Sequence, residues 1–239
     1  MRTWLGSILL RSWRVLRRDG LSLIAFNVLW LVASTPGWMV VAYGAAGRVL
    51  PLQIIGLIFL LPWPLATFGL FDAVFKLTLG RAVGIRSFIR FGLANWRRGL
   101  VWGGINLFAL AVLLSNARFY ISAGSPTAGT ATGTAISSFF LSATAAWLIW
   151  QTLTLPALVS EPSPGLWQAH RRAASVIASR PLDVFIIILL VLVLAAASVI
   201  IVPLGLLFGA ALVALLACET VAVAQGRPDP DAPVGTEEG

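Results

Sequence analysis

Charge is scarce in this chain. Only 11% of its 239 residues are Asp, Glu, Lys or Arg, where a soluble domain carries about a quarter. With 59% hydrophobic residues and a mean hydropathy of +0.92, it has too little polar surface to cover its apolar content, so lipid must act as its solvent. Cys218 is the only cysteine, which excludes an intramolecular disulfide and any CxxC metal or redox motif. His170 is the only histidine, so a His-rich metal site is excluded too. No HExxH, GxSxG or Walker loop occurs. No enzyme activity is expected, and no catalytic, cofactor-binding or metal-binding residue is assigned.

Positive charge is not scarce, and its placement is informative. The net charge is +8 and the isoelectric point near 11.4. The arginines flank apolar runs instead of forming a soluble basic face, so nucleic acid is rejected as a partner. Anionic lipid headgroups are the partner that this pattern fits.

A membrane-crossing helix needs about 20 apolar residues. Six candidates follow, at 21–42, 52–75, 100–120, 135–158, 182–202 and 204–224. The second is interrupted by Pro62 and Pro64. The last two form one long apolar stretch that must fold back, and Pro203 with Gly205 marks the expected turn. Arg17 and Arg18 before the first run, with Val32-Ala33-Ser34 inside it, resemble a signal peptide, but the run continues past that point and reads as an anchored span.

Alternate loops then sort the charges. Arg2, Arg11, Arg14, Arg17 and Arg18 precede the first span. Lys76, Arg81, Arg86, Arg90, Arg97 and Arg98 lie between spans two and three, Arg171, Arg172 and Arg180 between four and five, and Arg227 after the sixth. Only Arg48 and Arg118 fall on the other side. By the positive-inside rule both ends are cytoplasmic. The expected fold is all-α: one polytopic membrane domain over 1–225 and a disordered acidic tail over 226–239.

The basic segments have helical periodicity. Leu5, Ile8, Leu9, Trp13 and Leu16 make an apolar stripe with Arg11, Arg14 and Arg18 on another face. Ile85, Phe88, Ile89 and Trp96 alternate likewise with Arg86, Arg90 and Arg97, and a weaker pattern covers 166–177. Such helices lie in the membrane interface, and these six arginines are the expected inner-face contacts to lipid or partner. Each basic helix is followed by two spans, and Gly20-Leu21, Gly99-Leu100 and Pro181-Leu182 open spans one, three and five at near-equal intervals. The pattern is that of three tandem hairpins.

Polar residues inside spans are the natural candidates for function. Asn27 and Asn106 stand at the same offset from Gly20 and Gly99. Together with Pro62, Pro64 and Thr67 they define a candidate polar site near the broken second span, where freed carbonyls could meet a ligand. Interhelical hydrogen bonding is the simpler reading for the asparagines. Asp72 and Lys76, four apart, are expected to pair. Gln151, Thr152 and Thr154 are expected to bond a neighbouring helix. Gly205 with Gly209, and the stripe of Ser138, Ser142 and Ala146, are expected packing surfaces, internal before intermolecular.

Several short segments carry a family resemblance. Asn27-Val28-Leu29-Trp30-Leu31, then Pro64-Leu65-Ala66-Thr67 with Phe71, Val74, Lys76 and Gly80, then Phe88, Asn95 and Gly99-Leu100 resemble the YesL-like family of bacterial integral membrane proteins, a domain of unknown function. The resemblance spans roughly residues 10 to 115. It implies a bacterial membrane protein, and because such proteins often occur beside carbohydrate-uptake ABC transporter components, it implies an accessory role in sugar import. The expected function is therefore a non-enzymatic accessory of a transport system, with permease subunits or a second copy of the chain as partners. The alternative expectation is an autonomous transporter or channel that uses the polar site.

Overall fold

The computed structural model describes residues 4–47, 49–122, 125–160, 165–227 and 229–230, without the side chains of 195, 196, 198, 199, 202 and 204. Every regular element among them is a helix: α1 (Trp4–Ala46), α2 (Leu50–Phe59), α3 (Pro62–Thr78), α4 (Ile85–Ala94), α5 (Trp96–Ile121), α6 (Ala131–Val159), α7 (Leu166–Ser179), α8 (Pro181–Ile200) and α9 (Val202–Ala224). Proline sits in the first turn of α2, α3, α8 and α9, where its missing N–H leaves no bond unmade. It thereby divides apolar runs that would otherwise read continuously.

Several helices are long and apolar enough to cross a membrane. Five stretches qualify: α1, Leu50–Thr78 across α2 and α3, α5, α6, and Gly205–Ala224 of α9. A sixth is reached when α8 is taken with α7, which meets it at 108°. Large apolar side chains face outward along them, such as Val32 and Met39 on α1, Phe108 on α5 and Phe185 on α8. In water that pattern would be an aggregation surface; it suits a hydrocarbon solvent.

At 43 residues, α1 is about 65 Å long, twice an apolar bilayer thickness. Non-helical Asp19 (φ −119°, ψ 20°) divides it into a basic segment and a spanning segment. The spanning part runs antiparallel to α2 and α3. Gly37 meets Leu60, Gly44 meets Gln53 and Val41 meets Gly56. A Cβ on Gly37 would stand 2.6 Å from the Leu60 Cα, so no larger residue fits there. The proline break in span two is therefore pressed against α1. It exposes no ring of carbonyls: Leu60 N donates to Gly56 O and Trp63 N to Leu60 O.

Beyond the break, α3 runs through the middle of the molecule, buried from Ala66 to Phe75, and packs on α1, α4, α5, α6 and α9. A helix apolar all round belongs in such a place. Trp102 and Asn106 of α5 meet Gln151 and Trp147 of α6, again antiparallel. Helices α8 and α9 pack together from Ile201, the residue that separates them.

Three expectations need correction. The last turn falls at Ile201; Pro203 lies in the first turn of α9 and Gly205 inside that helix, because proline is suited to a helix start. Ser138, Ser142 and Ala146 face outward, since Ser137, Thr144 and Gln151 occupy the inward face of α6. Arg11, Arg14 and Arg18 also bond within the chain. Arg11 donates to the Arg227 carbonyl (3.0 Å), Arg14 pairs with Asp229 (2.7 Å), and Arg18 bonds Asp19 and the Leu77 carbonyl. The same contacts dock the start of the expected tail, with the Arg227 guanidinium over the Phe75 ring. Residues 231–239 of that tail lie outside the described residues, as do Arg2 and Arg48.

A candidate ligand site walled by tryptophan

A cavity of about 400 Å³ opens among α1, α3, α5, α6 and α9. Three indoles form much of its wall: Trp30 from α1, Trp63 from the first turn of α3, and Trp102 from α5. Trp63 and Trp102 lie 5.6 Å apart between centroids, and Phe68 meets the edge of Trp102 at 5.9 Å. The paired prolines place Trp63 by starting α3 at this depth. Pro64 then packs on Gly103, where a Cβ would come within 2.7 Å of its ring.

An indole can only donate, so each buried tryptophan requires an acceptor. Trp30 Nε1 donates to Thr67 Oγ1 (3.0 Å), which in turn donates to the Trp63 carbonyl (2.8 Å). Trp102 Nε1 donates to Gln151 Oε1 (2.9 Å). Trp147 Nε1 donates to Asn106 Oδ1 (3.0 Å), and Asn106 Nδ2 donates to the Trp102 carbonyl (2.8 Å).

These bonds determine which way Gln151 points. Its oxygen must face Trp102, so its amide nitrogen faces elsewhere. Gln151 is 4% exposed, and Nε2 has no hydrogen-bond partner among the described residues. An unmade donor of this kind costs roughly 1–3 kcal/mol.

The expected site residues divide. Thr67 and Asn106 line the cavity. Pro64 stands behind the wall and Pro62 is exposed at the start of α3. Asn27 points to a different neighbour. Its Nδ2 donates to the carbonyls of Gly205 and Leu206, and its Oδ1 accepts from Ala211 N, so it joins α1 to the α9 backbone. Among the arginines expected at the inner face, Arg86, Arg90 and Arg97 are exposed, and Arg97 lies over the Trp96 ring at 5.3 Å.

Asp72, His170 and Asp183 are each engaged separately. Asp72 accepts from Lys76 (2.6 Å), Asp183 faces Arg180 (3.8 Å), and His170 Nδ1 accepts from Trp150 Nε1 (2.7 Å). Burial pushes the His170 imidazole below its ordinary value. Among the described residues no group of three or more His, Cys, Asp or Glu could hold a metal ion.

The tryptophans are what sequence reasoning missed, and a signal for them exists. Trp30-Ser34, Trp63-Thr67, Trp102-Asn106, Trp147-Gln151 and Trp150-Thr154 all repeat tryptophan with a polar residue four positions on. That spacing puts both on one helix face, and in three of these pairs both residues bond across to another helix. No family model, curated protein or solved structure matches the chain.

Proposed function

We propose that this chain is a non-enzymatic protein of the bacterial cytoplasmic membrane that holds a small molecule in the tryptophan-walled cavity, in the service of transport. The tryptophan-walled cavity, with Gln151, whose Nε2 has no hydrogen-bond partner among the described residues, in its wall, carries the reading. Binding sites are apolar enclosures with few, well-placed polar groups. Buried polar groups normally have a hydrogen-bond partner, and a ligand acceptor would supply one here.

The test is extraction of the protein from its native membranes in mild detergent, followed by mass spectrometry of the organic extract. A molecule at about one per chain is expected. It should be lost in Gln151→Leu and in Ala210→Phe, which places a ring in the cavity. An empty wild-type protein, or a bound molecule indifferent to both changes, would overturn the reading.

An accessory role beside a carbohydrate importer is the second reading. The resemblance to YesL-like proteins supports it, as does the outward stripe of Ser138, Ser142 and Ala146, where small residues permit close helix approach. Recovery of permease chains with the tagged protein in stoichiometric amount would favour it.

Cytoplasmic termini and three tandem hairpins belong to the same proposal. Three helix junctions support it: Asp19, Asn95 and Arg180 each separate an arginine-bearing helix from a following apolar helix. On α4, Phe88 and Gly92 are buried, whereas Ile85, Ile89 and Leu93 face outward near Arg86 and Arg90. That mixture suits a helix lying at the membrane surface.

A further inference from the structure

The lining of the tryptophan-walled cavity constrains what it can hold. Among the described residues it includes no Asp, Glu, Lys, Arg or His. A charged ligand would lie there without a counter-ion, which burial makes costly. The polar side chains of the wall are largely spent on the protein itself. Thr67 Oγ1 accepts from Trp30 and donates to the Trp63 carbonyl. Asn106 Nδ2 donates to the Trp102 carbonyl, and Thr152 Oγ1 to the Leu148 carbonyl. A sugar carries a hydroxyl donor on most of its carbons, and this wall has no carboxylate to receive them.

Two donors of the lining residues are left over. One is Gln151 Nε2. The other is on Trp63, whose indole makes ring contacts to Trp38 and Trp102 but whose Nε1 has no hydrogen-bond partner among the described residues. Trp63 stands near the middle of the apolar stretch Leu50–Thr78, where a membrane offers no water to accept from it. Both residues adjoin Trp102, Trp63 through its ring at 5.6 Å and Gln151 through the 2.9 Å bond. Leu148 also lines the cavity and is 48% exposed on an apolar helix long enough to cross a membrane. That edge of the cavity faces hydrocarbon, so a ligand reaches it from the lipid phase.

We infer that the cavity binds a quinone, a neutral planar ring of the lipid phase with two carbonyl acceptors and no donor. The ring stacks among the indoles of Trp30, Trp63 and Trp102, and its oxygens accept from Gln151 Nε2 and Trp63 Nε1. An acyl chain would fill the same space but leave both donors unmade. Binding is reversible, and no covalent bond changes. This rests on the cavity reading above and specifies its ligand.

Equilibrium binding to the purified full chain in detergent tests it, with dimethylnaphthoquinone and, separately, dimethylnaphthalene, the same ring without the carbonyls. Each is corrected for its partition into empty micelles. The quinone is expected to saturate at about one per chain and to bind about tenfold or more tightly than the hydrocarbon, since two hydrogen bonds separate them. Gln151→Leu and Trp63→Phe should each weaken the quinone about threefold or more beyond any effect on the hydrocarbon. A misfolded variant would lose both ligands alike, so the difference between them separates a lost bond from a lost fold. Ala210→Phe should abolish binding of both.

Equal affinity for the two rings, or a preference for the quinone that survives both Gln151→Leu and Trp63→Phe, would overturn the inference. So would quinone binding that Ala210→Phe leaves intact, which would place it elsewhere on the chain. If the native extract yields a sugar or an acyl lipid that is lost in Ala210→Phe, the cavity reading stands and the quinone assignment falls. If the extract yields nothing and neither ring binds, both fall.

Discussion

Replacing Asn27 by leucine separates a structural asparagine from one that lines a cavity. Asn27 is fully buried and makes three hydrogen bonds to the α9 backbone, at 3.2 Å to Gly205 O, 2.8 Å to Leu206 O and 3.1 Å from Ala211 N. Side-chain hydrogen bonds inside membranes average about 0.6 kcal/mol, with a maximum near 1.7. Three average bonds give about 2 kcal/mol. Leucine offers no compensating hydrophobic gain, because lipid chains are as apolar as the interior. Asn106 makes one bond across to another helix, from Trp147, and its second bond stays within α5. Asn106→Leu should therefore cost about 0.6 kcal/mol. Unfolding in mixed micelles by increasing anionic detergent, followed by far-ultraviolet circular dichroism, measures both. A loss for Asn27→Leu below about 0.5 kcal/mol, or one no larger than that for Asn106→Leu, would refute the assignment of Asn27 as the α1–α9 tie.

Three further outcomes are expected. Gly37→Leu should destabilise by about 1–3 kcal/mol or prevent folding, because the added atoms meet the Leu60 backbone and not a movable side chain; a thermal melt in detergent reads this. His170 is held neutral by burial and by the Trp150 indole, which needs Nδ1 as acceptor, so its folded value lies below that of the unfolded chain. The unfolded chain then binds the extra proton first, and stability should fall as pH drops through about 6.5 and level off below the folded value. His170→Gln should remove that part of the slope, seen as melting temperatures of the two proteins that converge toward low pH. Finally, a membrane-impermeant maleimide should label Ser122→Cys from outside intact cells and leave Arg90→Cys unlabelled until the membrane is opened. Native Cys218 is fully buried on the Phe71 carbonyl and should stay silent in both.

Much of the helix order is legible along the chain, and particular residues show why. Pro51, Pro62, Pro181 and Pro203 mark helix starts because a missing N–H does no harm there. Asp72 and Lys76 are bonded as their four-residue spacing implies. The site is less legible. Thr67 and Asn106 stand out as polar residues in apolar runs, and both reach the cavity. Asn27 stands out for the same reason and does not, because only the approach of α9 decides what it meets. Trp30, Trp63 and Trp102 count among the hydrophobic residues, so a search for polar groups passes over them, although their indoles organise the wall.

Composition and periodicity by themselves require an all-helical chain that lipid can solvate, since apolar runs of this length satisfy their backbone only as helices. The arginine distribution by itself predicts, through the positive-inside rule, which ends face the cytoplasm. Whether a given arginine meets lipid or protein was decided only by the fold: Arg14 faces Asp229, more than 200 residues away in the chain, at a contact that no local pattern encodes. The outward turn of Ser138 and Ser142 and the burial of α3 from Ala66 to Phe75 were decided the same way. Helix propensity acts over a few residues; which faces meet depends on close packing among segments far apart in sequence.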